Sequence, residues 1–276
     1  MRKDKHNKKI HPKNKLNNLT GKEWLQFQKS WFLFNALPSD LKEEREIIGN
    51  STDHPATFSP TMISEFIKFF TKPGEIVLDP FLGIGSTLVA CDRTKRKGIG
   101  IELVKKYAEM AKKRTKQKII TGDARDISKM NLPKIDYCIT SPPYWNILNR
   151  STGEFKKTRA SKGLPTKYSD LEKDIGNIKE YYAFIDVIYN IFSQIYNILR
   201  EGKYVTIIVK NIKKKGKLYP LAWDIARRLG ELYELKDERI WIQDKVRLYP
   251  FGYPYAWTSN IIHHYCLNFQ KRKVEK

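Results

Sequence analysis

Residues 76–87 read IVLDPFLGIGST and place a glycine-rich turn between a short apolar strand and a helix. In a doubly wound α/β sheet, ligands bind outside the carboxyl ends of the strands. Glycine lets the backbone come close there, and a helix N-terminus offers amide donors. Gly83 and Gly85 are expected to allow that approach. The stretch is neither a Walker loop nor the three-glycine dinucleotide fingerprint, so alone it indicates only a strand, a turn and a helix.

Strands and helices alternate on both sides of this turn. The sequence PTMISEFIKFF predicts a helix before it, and GIGIEL, KIITGDA, DYCITSPP and KYVTIIV predict strands that helical stretches separate. Such alternation favours a mostly parallel sheet with right-handed crossovers. We therefore expect one α/β domain over residues 51–276. A basic N-terminal extension over residues 1–50 precedes it, with a short helix that Thr20 caps.

The charge of the chain indicates its partner. Its 276 residues include 52 Lys and Arg against 30 Asp and Glu, a formal net charge of +22. Basic side chains that neutralise phosphates release counterions, so this excess favours a nucleic acid over a merely solvated basic surface. The basic residues cluster at 1–15, 93–118, 150–167 and 203–217. Loops near 145–176 and 244–260 are the expected nucleic-acid contacts.

Other classes of protein fit the composition poorly. An apolar content of 41% supports a packed core. No apolar run approaches the roughly 20 residues of a membrane span, and no signal peptide is evident, so we expect a cytoplasmic protein without a membrane partner. Cys91, Cys138 and Cys266 are too widely spaced for a CxxC motif and are expected in the core. His263 and His264 have no further ligands nearby in sequence, so no metal is expected.

Acidic residues follow three successive predicted strands. Asp79 ends the first, Glu102 ends GIGIE, and Asp123 follows the third strand in GDA. A carboxylate at the position of Glu102 can accept from both hydroxyls of a ribose, and Asp123 could accept from the exocyclic amine of an adenine. Three acids at one edge of a sheet favour a cofactor that contains adenosine.

A second motif, TSPPYW, follows the fourth strand of this series. Two prolines cannot continue a central strand, so they fix a stiff extended turn. Ser141 can donate and accept hydrogen bonds, the Pro142 carbonyl can accept, and Tyr144 and Trp145 supply flat rings. This combination suits a planar ring whose amino group is held while its face is stacked.

Taken together, DPFLGIGST, GIE, GDA and TSPPYW resemble the amino-methylating family of S-adenosylmethionine-dependent DNA methyltransferases, which modify cytosine N4 or adenine N6. HPATFSP at 54–60 is similar to an additional cofactor-side motif of that family. The resemblance implies a Rossmann-like class I methyltransferase fold, for which we expect a seven-stranded sheet with helices on both faces. It also implies S-adenosylmethionine as methyl donor and a base flipped out of its stack. By resemblance, the cofactor contacts are Asp79, Phe81, Gly83, Gly85, Glu102, Asp123 and Ala124, and the catalytic residues are Ser141, Pro142, Pro143 and Tyr144.

The identity of the target base follows from the residue before the two prolines. Ser at this position, as in TSPPYW, resembles the cytosine-N4 branch, whereas Asp is typical of adenine-N6 enzymes. Cytosine N4 in DNA is therefore the first hypothesis and adenine N6 an alternative. No sizeable target-recognition region is evident, which keeps open a structured RNA such as ribosomal RNA. A nucleic-acid-binding protein without activity is a further alternative, against which the intact motifs argue. The sequence predicts neither the recognition site nor the oligomeric state.

Overall fold

The computed structural model describes residues 10–35, 58–145, 171, 173–214 and 216–272. Within them, the helices are α1 Gly21–Phe27, α2 Pro60–Phe70, α3 Ser86–Thr94, α4 Lys105–Arg114, α5 Tyr181–Ile198 and α6 Leu221–Leu229. The strands are β1 Trp31–Leu33, β2 Ile76–Asp79, β3 Lys97–Glu102, β4 Lys118–Thr121, β5 Ile135–Thr140, β6 Leu199–Val209, β7 Ile212–Lys214, β8 Lys217–Tyr219, β9 Glu234–Ile242 and β10 His263–Gln270. Short 3-10 helices form at Ala124–Lys129 and Ile175–Asn177.

Local capping signals in the sequence account for the starts of the first two helices. Thr20 and Glu23 form a reciprocal capping box at the start of α1, as predicted. Ser59 caps α2 through the amide of Thr61, and Pro60 occupies the first helical position, where its missing amide costs nothing. Both helices therefore begin where the sequence predicts.

Eight of the described strands form one sheet in the order β1-β9-β10-β6-β5-β2-β3-β4. Among them β10 is antiparallel to both neighbours, and the other pairings are parallel. The predicted mostly parallel sheet is confirmed, but the predicted number of seven strands is wrong. The additional strand is β1, whose three residues pair with Ile240–Ile242 of β9. Three residues are too few to show a strand periodicity, and their partner lies far along the chain.

Helices cover both faces of the sheet, as predicted. Successive residues of β5 point to opposite faces because side chains alternate along a strand. Cys138 belongs to the apolar cluster that contains α5 and α6. Tyr137 and Ile139 belong to the cluster that contains α2. The thiols of Cys91, Cys138 and Cys266 are all free and buried, which confirms their expected core positions.

Residues 10–35 pack on this domain. The ring of Phe27 in α1 stacks on that of Phe69 in α2 with 4.0 Å between centroids, and the Asn17 side-chain amide donates to the Phe69 carbonyl at 2.6 Å. The Arg239 guanidinium of β9 lies 3.9 Å from the ring centroid of Phe27 and 4.5 Å from that of Phe32. The division of the chain at residue 50 stays a prediction.

The parallel strands bring their carboxyl ends to one edge of the sheet, which we call the carboxyl edge. Asp79, Glu102 and Thr140 end β2, β3 and β5 there. The turns that follow these strands can therefore build one site, as expected for this class of fold. Among the described residues, no helix combines the length and the apolarity that crossing a membrane requires.

Candidate active site

A cavity opens at the carboxyl edge between the turns that follow β2, β3, β4 and β5. Nine of the eleven predicted site residues line it, and Gly85 and Tyr144 are not among the lining residues. The nine are Asp79, Phe81, Gly83, Glu102, Asp123, Ala124, Ser141, Pro142 and Pro143. The structure thus brings the two sequence motifs together at one cavity, although the 52 residues 88–139 separate them in the chain.

Asp79 joins the first motif to the second. Its carboxylate accepts from the Thr140 hydroxyl of β5 at 2.6 Å, the Thr87 hydroxyl of α3 at 2.6 Å and the Phe81 amide at 3.0 Å. Burial raises the pKa of Asp79, and the three hydrogen bonds oppose that rise without cancelling it. Asp79 therefore holds the turn between β2 and α3 against β5, and it also lines the cavity.

Glu102 is held by backbone amides on two sides. One carboxylate oxygen accepts from the Gly83 amide at 2.7 Å, and the other accepts from the Val104 amide at 2.8 Å. Burial raises the pKa of Glu102 to about 7, against the lowering effect of these two hydrogen bonds. Each carboxylate oxygen has two lone pairs, so each can still accept from a hydroxyl in the cavity.

Gly85 has a packing role next to the cavity. It is the N-cap of α3 with a φ of 94°, in the left-handed region that favours glycine. A Cβ atom at this position would lie 2.9 Å from the Cβ of Ala111 in α4. Gly85 thus allows the close contact between α3 and α4, and its predicted cofactor contact stays a prediction.

Asp123 is engaged by a neighbouring side chain. The Arg125 guanidinium donates to both of its carboxylate oxygens, at 3.1 and 3.0 Å from Nε and at 2.6 Å from Nη2. Burial tends to raise the pKa of Asp123, but the hydrogen bonds and the charge of Arg125 outweigh it, and that pKa is lowered. Arg125 also donates to the Lys173 carbonyl at 3.0 Å, so this pair closes one wall of the cavity.

Residues 141–145, which we call the catalytic turn after their predicted role, lie partly at the cavity and partly in the core. Ser141, Pro142 and Pro143 line the cavity, whereas Tyr144 and Trp145 are buried in the cluster that contains α5. The Trp145 ring packs against the rings of Tyr181 and Tyr219, with centroids 5.0 and 4.8 Å apart. The predicted stacking of Tyr144 on a base stays a prediction.

Sequence reasoning missed several residues at the cavity. Thr87 and Thr140 lie inside the two motifs, yet their hydrogen bonds to Asp79 depend on how β2 and β5 pair. Phe58 also lines the cavity and belongs to the predicted motif at 54–60. One signal could have found these hydrogen bonds. A buried carboxylate such as Asp79 needs donors, and Thr87 and Thr140 are hydroxyl residues within the two motifs.

The remaining predicted features, which are the histidines, the motif at 54–60 and the two nucleic-acid loops, do not all fall within the described residues. His264 stacks on Trp241 with 4.4 Å between ring centroids, and burial lowers its pKa to about 3, in keeping with a structural role. Residues 54–57 of the additional motif lie outside the described residues, as do residues 1–9 and most of the loop near 145–176, including the basic cluster at 150–167. The loop near 244–260 is described and is exposed.

Part of the chain matches a model of a known protein family. Residues 1–113 match the family model N6_N4_Mtase, described as DNA methylase. Over these residues, about two fifths of the chain, the protein is similar to this amino-methyltransferase family. The matched region includes Asp79, Gly83 and Glu102 and ends before the catalytic turn.

Parts of the chain are also similar to curated methyltransferases. The orphan methyltransferase M.BamHII of Bacillus amyloliquefaciens is 34% identical over 82 residues, which are 30% of this chain and 31% of that protein. Type II methyltransferase M.BglII of Bacillus subtilis is 27% identical over 146 residues, which are 49% of this chain and 38% of that protein. The chain thus spans about a third of the length of these relatives.

A solved structure confirms the fold. TrmN from Thermus thermophilus aligns with a TM-score of 0.52 at 14% identity, over 82% of this chain and 52% of that chain. At this identity the likeness concerns the fold alone, and the chain has the Rossmann-like arrangement that the sequence predicted.

Proposed function

We propose that the protein transfers a methyl group from S-adenosylmethionine to the exocyclic amino group of a flipped base, with cytosine N4 in DNA as the favoured target. The observation that carries this proposal is that Ser141 and the strand-end acids Asp79, Glu102 and Asp123 line the same cavity. A methyl donor and an acceptor amine must meet for the reaction, and one cavity lined by both motifs provides that meeting point.

The residues present fit the cofactor. When bound, S-adenosylmethionine supplies an electrophilic methyl group on its sulfonium. Glu102 keeps lone pairs for the two ribose hydroxyls after accepting from two amides. The resemblance assigns Asp123 to the adenine amine, although Arg125 already donates to both of its carboxylate oxygens. Phe81, Gly83 and Ala124 also line the cavity.

The catalytic turn activates and aims the amine. The lone pair of a cytosine amino group is delocalised into the ring, so the nitrogen is a poor nucleophile. Hydrogen bonds from its two protons to the Ser141 hydroxyl and the Pro142 carbonyl favour a pyramidal nitrogen whose lone pair points at the methyl group. As the nitrogen takes the methyl group, the donor's sulfur would be left as a neutral thioether and the surplus proton on the nitrogen would pass to solvent. Pro142 and Pro143 stiffen the turn, so these acceptors are positioned before the base arrives.

Two observations favour cytosine N4 in DNA as the target. The Ser before the two prolines favours cytosine over adenine through the resemblance to the cytosine-N4 branch, and the matching family model is described as DNA methylase, which favours DNA. A structured RNA is the second candidate, favoured by the net charge of +22 and by the lack of an evident recognition region. We further propose that the enzyme acts in the cytoplasm and that residues 51–276 form its catalytic domain.

A labelling experiment tests the proposal. The protein is incubated with labelled S-adenosylmethionine and, in separate reactions, with duplex DNA and total RNA, and the modified nucleoside is identified by mass spectrometry. We expect N4-methylcytosine in DNA with the wild type and, after the same incubation, about 10²–10³-fold less with Ser141→Ala. Ser193→Ala serves as the matched control, because this serine lies on α5 and donates to the Asn190 carbonyl at 2.8 Å, away from the cavity. A modified adenine or a modified RNA would replace the favoured target, and no modification of either would overturn the proposal.

A further inference from the structure

The loop between β9 and β10 exposes aromatic side chains. Tyr253, Tyr255 and Trp257 are 81%, 94% and 90% exposed, and we call these three residues the aromatic tip. Large rings are normally among the more buried side chains of a soluble protein, and neighbouring exposed rings mark an interaction site. Nothing in the mechanism proposed above uses them.

Hydrogen bonds order the loop that carries the aromatic tip. The side-chain amide of Asn260 donates to the Tyr249 carbonyl at 2.8 Å and accepts from the Tyr249 amide at 3.0 Å, which closes the base of the loop. Gly252 makes the turn at its end with a φ of 80°, and its carbonyl accepts from the amides of Tyr255 and Ala256, both at 2.7 Å. The rings are therefore held outward by an ordered turn.

The loop lies at the same edge of the sheet as the cavity. β9 runs parallel to β5 and β6, because β10 is antiparallel to both β9 and β6. The turn after β9 thus leaves the sheet at the carboxyl edge.

The hairpin of β7 and β8 links the loop to the catalytic turn. The Lys213 ammonium donates to the Thr258 hydroxyl at 2.9 Å and to the Ser259 hydroxyl at 3.1 Å. The next residue, Lys214, places its ammonium 3.8 Å from the centroid of the Trp145 ring. The aromatic tip is therefore connected to the catalytic turn through two consecutive lysines.

The chemistry of the loop fits a nucleic acid. Residues 245–260 contain Lys245 and Arg247 and no acidic residue. Flat rings stack on the faces of bases, and neighbouring cations attract phosphates. In an intact duplex the base faces are covered by the stack, whereas a flipped target leaves neighbouring base faces uncovered. A surface that combines exposed rings and positive charge thus matches unpaired nucleotides better than an intact duplex.

We propose that the aromatic tip stacks on unpaired bases beside the target of methylation. The proposal rests on the proposed function for the identity of the partner as a nucleic acid. It adds a preference of the protein for nucleotides whose base faces are exposed.

Binding of labelled oligonucleotides tests the proposal without any methyl transfer. Fluorescence anisotropy compares a single DNA strand, an RNA strand of the same sequence and the fully paired DNA duplex. In the double variant Tyr255→Ala/Trp257→Ala, we expect at least a tenfold loss of affinity for whichever single strand the wild type prefers. Affinity for the duplex should fall less than about twofold. The slope of log affinity against log salt should stay unchanged, because no phosphate contact is lost.

Two controls make the result specific. Trp257→Phe keeps a ring and should retain most of the affinity of the wild type. Leu235→Ala removes another exposed apolar side chain, 44% exposed at the opposite end of β9, and should bind as the wild type does. Circular dichroism checks that each variant is folded.

Unchanged single-strand binding in the double variant would overturn the proposal. So would concentration-dependent self-association of the wild type that the double variant loses, since the aromatic tip would then be a protein interface. The two proposals fail separately. Loss of binding with the tip variant in a protein that methylates no nucleic acid would defeat only the proposed function. Methylation with an inert tip would defeat only this inference.

Discussion

The two sides of the active-site region are built differently. On the cofactor side, buried acids are held by backbone amides and hydroxyls nearby, as with Glu102 between Gly83 and Val104. On the base side, aromatic and basic side chains come from separate elements, as with Trp145 under Lys214. The residues of the first arrangement stand in short motifs and meet where neighbouring strands end, whereas those of the second lie on elements far apart in the chain. We therefore expect substitutions on the base side to leave cofactor affinity unchanged, and substitutions on the cofactor side to leave base binding unchanged.

The largest effect is expected at the catalytic turn. Ser141→Ala removes an acceptor for the target amine and should lower the rate of methyl transfer by about 10²–10³-fold. Affinity for S-adenosylmethionine should remain that of the wild type, because Asp79 and Glu102 are untouched. Single-turnover kinetics and titration calorimetry measure the two quantities. A parallel loss of cofactor affinity would show that the two sides are not separable.

Asp79 tests the link between the two sides. Asp79→Ala leaves the hydroxyls of Thr87 and Thr140 without their buried acceptor. It should lower the free energy of unfolding by about 2–3 kcal/mol and also weaken cofactor binding. Asp79→Asn keeps an acceptor oxygen and should recover much of the stability. Denaturant unfolding and calorimetry decide this, and equal losses in the two variants would contradict a role of Asp79 as an acceptor.

A substitution of Gly85 tests its packing role against α4. Gly85→Ala places a Cβ 2.9 Å from the Cβ of Ala111, whereas at Gly74, which also has a positive φ, nothing lies within 4 Å of an added Cβ. Gly85→Ala should therefore lower the free energy of unfolding by about 1–3 kcal/mol more than Gly74→Ala does. Thermal and denaturant unfolding of the two variants provide the comparison. Equal costs would mean that the contact with α4 relaxes freely.

The last effect concerns pH and Glu102. Its pKa is raised from 4.5 to about 7, so the folded protein binds more protons than the unfolded chain between these values. The contribution of Glu102 to the free energy of unfolding must then fall as the pH rises from about 4.5 to 7, and recover on acidification. Glu102→Gln should remove this component.

The pH effect is measured as a difference between two proteins. Unfolding of the wild type without cofactor is compared with that of Glu102→Gln from pH 5 to 8, so that the titration of other groups cancels. Stabilisation by S-adenosylmethionine should increase with pH in the wild type, because ionised Glu102 is the better acceptor for ribose hydroxyls. Identical pH profiles for the two proteins would rule out titration of Glu102 in this range.

Much of the fold was predictable because its signals are local. The capping box of Thr20 and Glu23 marks the start of α1, and Pro60 marks the start of α2. The strands before Asp79 and Glu102 are apolar runs that end in an acid, so both their existence and their ends are encoded in a few neighbouring residues. The polyanionic partner also rests on a property that does not depend on the fold, the net charge, and it stays a prediction.

The tertiary structure decided what depends on distant partners. β1 forms because Trp31–Leu33 meets β9, and no local pattern announces that pairing. Gly85 lies in a glycine-rich motif, but the approach of Ala111 gives it a packing role. Lys213 lies in a basic cluster that composition assigns to phosphates, yet its ammonium donates to Thr258. Motifs therefore determined which chemical groups are present, and the packing of distant segments decided which of those groups face the cavity and which support it.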